Sequence, residues 1–102
     1  MSSQSAYLPT PFVAAYSASK AGLEIAVESL AGEVRPWGIR TTLVLPGATS
    51  TSMADKAIRD VPVDSPYRSA ALATGERCDG VVSGGVDANV VAAEILRVLG
   101  SE

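Results

Sequence analysis

The stretch Ile39–Leu45, IRTTLVL, constrains the fold more than any other. It is apolar and β-branched, and beyond Arg40-Thr41-Thr42 it lacks polar alternation. That pattern predicts a strand buried on both faces, the kind found in parallel sheets whose two sides are covered by helices. Pro46-Gly47 ends it. A parallel strand satisfies its N–H and C=O groups only against neighbours, and no second strand of this type follows from the sequence. The expected architecture is therefore α/β, and an incomplete piece of one. An unpartnered apolar strand is also an aggregation-prone edge, and a short chain buries proportionally little surface, so marginal stability is expected.

The elements around this strand follow from periodicity and punctuation. Residues 1–12 are rich in Ser, Thr and Pro and read as a loop, with Pro9 and Pro11 discouraging a helix. From 14 to 35 the pattern is helical. Leu23, Val27, Leu30 and Val34 form an apolar stripe, with Glu24, Glu28 and Glu33 mostly off it, and Pro36 and Gly38 stop the helix. Residues 46–86 read as a mixed connection, with a short helix near Met53–Arg59 and then scattered Pro and Gly. Long connections of this kind are often functional lids. Asp87 is placed to cap a last helix over 87–99, with Val91, Ile95 and Val98 on one face and Gly100 beyond its end. All 102 residues read as a single unit.

Composition excludes several functions. The chain has 102 residues, 47% hydrophobic and 19% charged, with a net charge of −3 and no basic run, which argues against a nucleic-acid surface. It has no histidine and one cysteine, Cys78. Histidine acid–base chemistry, His-ligated metals and an intrachain disulfide are thereby excluded, and no metal site is expected. The lone Cys78 reads as an inert loop thiol. The first ten residues lack the basic segment and apolar run of a signal peptide, and no apolar stretch approaches the roughly 20 residues that span a bilayer. A cytoplasmic protein is the expectation.

Chemistry points to residues 14–22, AAYSASKAG. Four helical residues turn through about 400°, so Tyr16 and Lys20 share a face. An ammonium near a phenol favours the phenolate, and a phenol so tuned can exchange a proton with a carbonyl or alcohol oxygen. The small residues Ser17-Ala18-Ser19 leave room for a flat ligand. A Tyr four residues from a Lys is common on ordinary surface helices, and the pair alone does not decide the matter.

It does not stand alone. Ser3 lies thirteen positions before Tyr16, Ser-Ala-Ser-Lys fills 17–20, Gly38-Ile39-Arg40 enters the strand, and Pro46-Gly47 is followed by Thr51 and Met53. In this order and spacing the chain resembles the C-terminal part of a classical short-chain dehydrogenase/reductase. The likeness extends over 1–55, fades over 56–86 and returns modestly over 87–99. It implies a partial Rossmann-type doubly wound fold, alcohol/carbonyl interconversion by hydride transfer, and NAD or NADP as cofactor. It also implies roles. Tyr16 would be the general acid/base, Lys20 its tuning partner and a ligand of the nicotinamide ribose, and Ser3 a hydrogen-bond donor to the substrate oxygen. Pro46-Gly47 and the following backbone would flank the nicotinamide, with Thr51 near its carboxamide or the phosphates. Ser3 competes with Ser2 and Ser5 for its role, and Thr49 and Ser50 compete with Thr51. Tyr7 and Tyr67 fit no motif and read as loop residues, and Trp37 reads as packed at a helix end. In this family the helix 14–35 often pairs two subunits, which implies a homo-oligomer acting on a small alcohol or ketone.

The resemblance also implies parts that these residues lack. No Gly-rich strand–turn–helix for the dinucleotide pyrophosphate is present, nor the Asn-Ala-Gly segment, nor the further catalytic Asn. The expectation is a segment of a complete enzyme that is inactive alone. The alternative is a truncated, non-catalytic product that acts as a helical dimerisation module.

Overall fold

A computed structural model describes residues 1–53 and 60–101. The short helix expected near Met53–Arg59 lies almost wholly outside the described residues. The chain divides into two units, Met1–Pro46 and Gly47–Glu102.

The first unit is built on helix α1, Ala14–Val34. Before it, a 3-10 turn spans Gln4–Ala6, with Ser3 as its cap. The loop of Pro9 and Pro11 then runs into Phe12, whose φ of 65° lies in the left-handed region. That region costs a residue with a Cβ roughly 1–2 kcal/mol. The bend sits two residues before α1 and turns the chain into it. Val13, at the cap position, offers no side-chain acceptor. At the other end Pro36 converts the helix into a 3-10 turn at Arg35–Trp37, and Gly38 closes it at φ 71° with its N–H donating to the Arg35 carbonyl. Trp37 does not pack at this helix end, as the sequence suggested. It is the last residue of the 3-10 turn and is 81% exposed.

Residues 39–45, expected as a strand, form no strand here. The reason is the one the sequence raised: a ladder needs a neighbour. Within the unit, one backbone hydrogen bond reaches this stretch from a distant segment, from the Ser2 N–H to the Val44 carbonyl at 2.9 Å. One such bond ties the N-terminus alongside the segment without making a sheet.

The second unit holds the described sheet, a parallel pair of β1, Thr49–Ser50, and β2, Val86–Asp87. Thr49 stands opposite Val86 and Ser50 opposite Asp87. Between them lies helix α2, Arg68–Ser83, inside the stretch read as a mixed connection. Its interior Gly75 and Gly80 each cost about 1 kcal/mol relative to Ala. The helix forms nonetheless because its covered positions recur at helical spacing. Thr74 is buried, and Ala71, Leu72, Cys78 and Val82 are half-buried. Cys78 is thus a helix residue rather than a loop thiol. Helix α3, Ala88–Leu99, follows β2 directly. The Asp87 carboxylate caps it by accepting from the Asn89 N–H at 2.7 Å, and Gly100 follows its last turn.

Among the described residues no apolar side chain is buried. The buried ones are polar: Ser2, Glu24 and Thr74. This inverts the usual order, in which charged residues are almost never fully covered. On α1 the stripe residues Leu23 and Leu30 remain 37% and 46% exposed. Among the described residues the architecture is α/β, with three α-helices and a two-stranded parallel sheet.

Candidate active site

Helix α1 presents Tyr16 and Lys20 on one face. The Lys20 Nζ stands 5.6 Å from the centroid of the Tyr16 ring, within the range of a cation–π contact. Both residues are half-buried, so the pair sits in a partly screened setting. The small residues between them cause no obstruction. The Ser19 hydroxyl turns back to donate to the Tyr16 carbonyl at 2.7 Å, while Ser17 Oγ is buried and has no partner among the described residues. Ser17 and Ala14 join Pro9, Thr10 and Pro11 around an open depression of about 480 Å³ beside the Tyr16 turn.

The N-terminal residues lie across the same helical face. Lys20 Nζ donates to the Met1 carbonyl at 3.5 Å, and the Ser2 hydroxyl approaches the Lys20 carbonyl at 3.3 Å. Ser2 is 5% exposed and its hydroxyl also donates to the Glu24 carboxylate. The other oxygen of that carboxylate accepts from the Tyr7 hydroxyl. Glu24 itself is 3% exposed. The carboxylate beside it, with a smaller effect from Glu28, pushes the Tyr7 phenol above its ordinary range. Ser3 sits next to this anchor. Its Oγ accepts from the Ser5 N–H at 3.2 Å, which leaves the hydroxyl hydrogen able to donate elsewhere.

The sequence-selected residues thus divide between the two units. Ser3, Tyr16, Lys20 and Pro46 belong to the first, and Gly47, Thr49 and Thr51 to the second. In the second unit these residues form local turns: Thr49 Oγ1 donates to the Gly47 carbonyl at 3.2 Å, and Thr51 Oγ1 accepts from the Met53 N–H at 3.3 Å. The cluster of Ser2, Tyr7 and Glu24, in which Ser2 and Glu24 are buried and Tyr7 is exposed, did not emerge from the sequence. The signal for it was present, since Glu24 continues the four-residue step from Tyr16 through Lys20. Tyr7 carried no comparable signal.

Among the described residues, no three His, Cys, Asp or Glu side chains gather as a metal site. No helix there is long and apolar enough to cross a membrane.

The Tyr16 phenol and the Lys20 ammonium thus share one helical face, with the serine-bearing N-terminal segment tied beside them. The family model for short chain dehydrogenases matches residues 1–62, and the chain belongs to that family. It is 45% identical over 51 residues to the vibriobactin-specific 2,3-dihydro-2,3-dihydroxybenzoate dehydrogenase of Vibrio cholerae, covering 50% of this chain and 20% of that protein. It is 35% identical over 81 residues to a very-long-chain 3-oxoacyl-CoA reductase of Debaryomyces hansenii, covering 76% of this chain and 23% of that protein. To the sheep 11-beta-hydroxysteroid dehydrogenase type 2 it is 33% identical over 61 residues, covering 60% of this chain and 13% of that protein. The matches thus cover between 13% and 23% of these curated relatives. No solved structure matches.

Proposed function

We propose that this chain carries the proton-transfer part of an NAD(P)-dependent oxidoreductase that interconverts alcohols and carbonyls. The observation that carries the reading is the Tyr16–Lys20 pair on α1, with Nζ 5.6 Å from the ring centroid, inside the segment that matches the family. The dehydrogenase and reductase names of the relatives support it.

Reduction of a carbonyl adds a hydride to carbon and a proton to oxygen. A nicotinamide cofactor supplies or takes up the hydride. Tyr16 gives the proton to the substrate oxygen in reduction and takes it back in oxidation. Ser3, whose hydroxyl hydrogen remains able to donate, hydrogen-bonds that oxygen and holds it for transfer. Lys20 stabilises negative charge developing on the phenol oxygen. An ammonium has three donors, and Lys20 uses one on Met1, so the remaining two fit ribose hydroxyls. Pro46, Gly47, Thr49 and Thr51 are the residues of this chain that would flank the nicotinamide. The depression lined by Pro9, Thr10, Pro11, Ala14 and Ser17 suits an apolar portion of an alcohol or ketone.

The fold in which this segment works is a Rossmann-type doubly wound sheet. Its glycines do not make a pyrophosphate-binding G-x-G-x-x-G turn, so the 102 residues alone are expected to be inactive. A second reading, a non-catalytic helical module that forms a homo-oligomer through α1, is favoured by the exposure of Leu23 and Leu30. Both readings face one assay. The protein containing this segment is mixed with reduced nicotinamide and a panel of ketones, and cofactor oxidation is followed by absorbance. Ketone-dependent oxidation is the expected result. Its absence, together with a sedimenting dimer that α1 stripe substitutions dissociate, favours the module.

A further inference from the structure

The cluster of Glu24, Ser2 and Tyr7 has no place in the proton transfer itself, yet it holds two of the three residues buried among those described, Ser2 and Glu24. A carboxylate taken out of water is strongly unfavourable unless hydrogen bonds compensate it. Here two hydroxyls do so, one to each oxygen: Ser2 on Oε1 and Tyr7 on Oε2. Both donors come from the N-terminal segment, while the acceptor sits on α1. Steps of four residues, from Tyr16 to Lys20 to Glu24, advance about 40° each around the helix, so the carboxylate continues the face that carries the phenol and the ammonium.

We propose that Glu24 is a positioning residue that straps residues 1–7 onto this face and thereby fixes Ser3 for its hydrogen bond to the substrate oxygen. The inference rests on the reading of Tyr16, Lys20 and Ser3 given above. Ser3 is flanked by the two hydroxyls that Glu24 holds, Ser2 before it and Tyr7 four residues after. The 3-10 turn at Gln4–Ala6 makes this stretch stiff and short. Ser2 has a further tie through its N–H to the Val44 carbonyl at 2.9 Å. With Ser2 and Tyr7 fixed, Ser3 has little freedom. With the carboxylate gone, the segment loses two charge-assisted bonds, and its hydroxyl is no longer held in the orientation transfer requires.

The test uses the active enzyme containing this segment. Glu24→Ala is expected to lower kcat by about 10–100-fold, a fraction of what loss of a positioned group removes, with cofactor affinity unchanged. Glu24→Gln, which keeps one acceptor oxygen, is expected to recover part of that loss. Ser3→Ala combined with Glu24→Ala is expected to be no slower than Ser3→Ala alone, because one acts through the other. The Tyr7 phenol, followed by its ultraviolet difference spectrum, is expected to titrate at lower pH in Glu24→Ala than in the parent. Tyr7→Phe removes one strap bond from an exposed side chain without removing the buried carboxylate; it is expected to lower kcat with cofactor affinity unchanged, and it carries the test if Glu24→Ala does not fold. Full kcat in both Glu24→Ala and Tyr7→Phe overturns the proposal, and so does a double variant whose losses multiply. If Tyr16→Phe keeps full turnover, the parent reading has failed. If Tyr16→Phe is inactive while the Glu24 and Ser3 losses multiply, only the positioning role has failed.

Discussion

Tyr16→Phe is expected to reduce kcat by about 10²–10⁴-fold, the range that a positioned general acid/base contributes, while cofactor binding stays largely intact. The substitution removes one oxygen and keeps the ring. The ring is what Lys20 faces at 5.6 Å, so the cation–π contact and the packing of the helical turn survive. A structural role for Tyr16 would therefore leave Phe nearly neutral. A proton-transfer role makes it almost as damaging as deletion, because no other side chain in the first unit is placed to replace the phenol: Tyr7 is engaged by Glu24, and the chain has no histidine. The measurement is steady-state turnover of the enzyme containing this segment, with cofactor affinity determined separately. A variant with wild-type kcat removes Tyr16 from its role.

Gly85→Ala is expected to destabilise the β1–β2 pair of the second unit by about 1–3 kcal/mol, the usual cost of forcing extra atoms into a packed site. A Cβ at position 85 would stand 2.5 Å from the carbonyl carbon and oxygen of Ala48 and 2.7 Å from the Thr49 nitrogen. These are backbone atoms, so no flexible side chain can yield. The close approach is what lets the neighbouring Val86 N–H donate to the Ala48 carbonyl at 3.0 Å and opens the register of Thr49 with Val86. Glycine in such a place marks backbone meeting backbone. Gly84 is the control. A Cβ there meets its nearest atom at 3.4 Å, an ordinary contact, so Gly84→Ala is expected to cost far less. Amide exchange at Val86 separates the two: it accelerates in Gly85→Ala and stays near the parent rate in Gly84→Ala. Equal protection in both variants contradicts the geometric account.

The sequence made α1 legible because its evidence is local. A 3.6-residue stripe and a Pro-x-Gly stop lie within the helix and its edge, and they mark the boundary where the chain turns at Arg35–Trp37. Asp87 and Gly100 mark α3 in the same way. Residues 39–45 misled for the opposite reason. Apolar β-branched composition reports what a segment would do given neighbours, and a ladder exists only where those neighbours are present. The sheet that does form, at Thr49–Ser50 and Val86–Asp87, is too short to leave a periodic trace. Helix α2 was hidden by Gly75 and Gly80, read as breaks, although Ala71, Leu72, Thr74, Cys78 and Val82 carry a helical repeat. At the candidate site, Tyr16 and Lys20 share a face by spacing alone. Ser2, Tyr7 and Glu24 come together only through the path of the N-terminal segment, which no spacing rule encodes.

The most direct test of the central claim is a crystal structure of the enzyme containing this segment with nicotinamide cofactor and a carbonyl ligand bound. The account predicts the ligand oxygen within hydrogen-bond reach, about 2.6–3.2 Å, of both the Tyr16 and Ser3 hydroxyls, with Lys20 Nζ on the ribose. A ligand oxygen held by other groups, with Tyr16 and Ser3 facing apart, would contradict it.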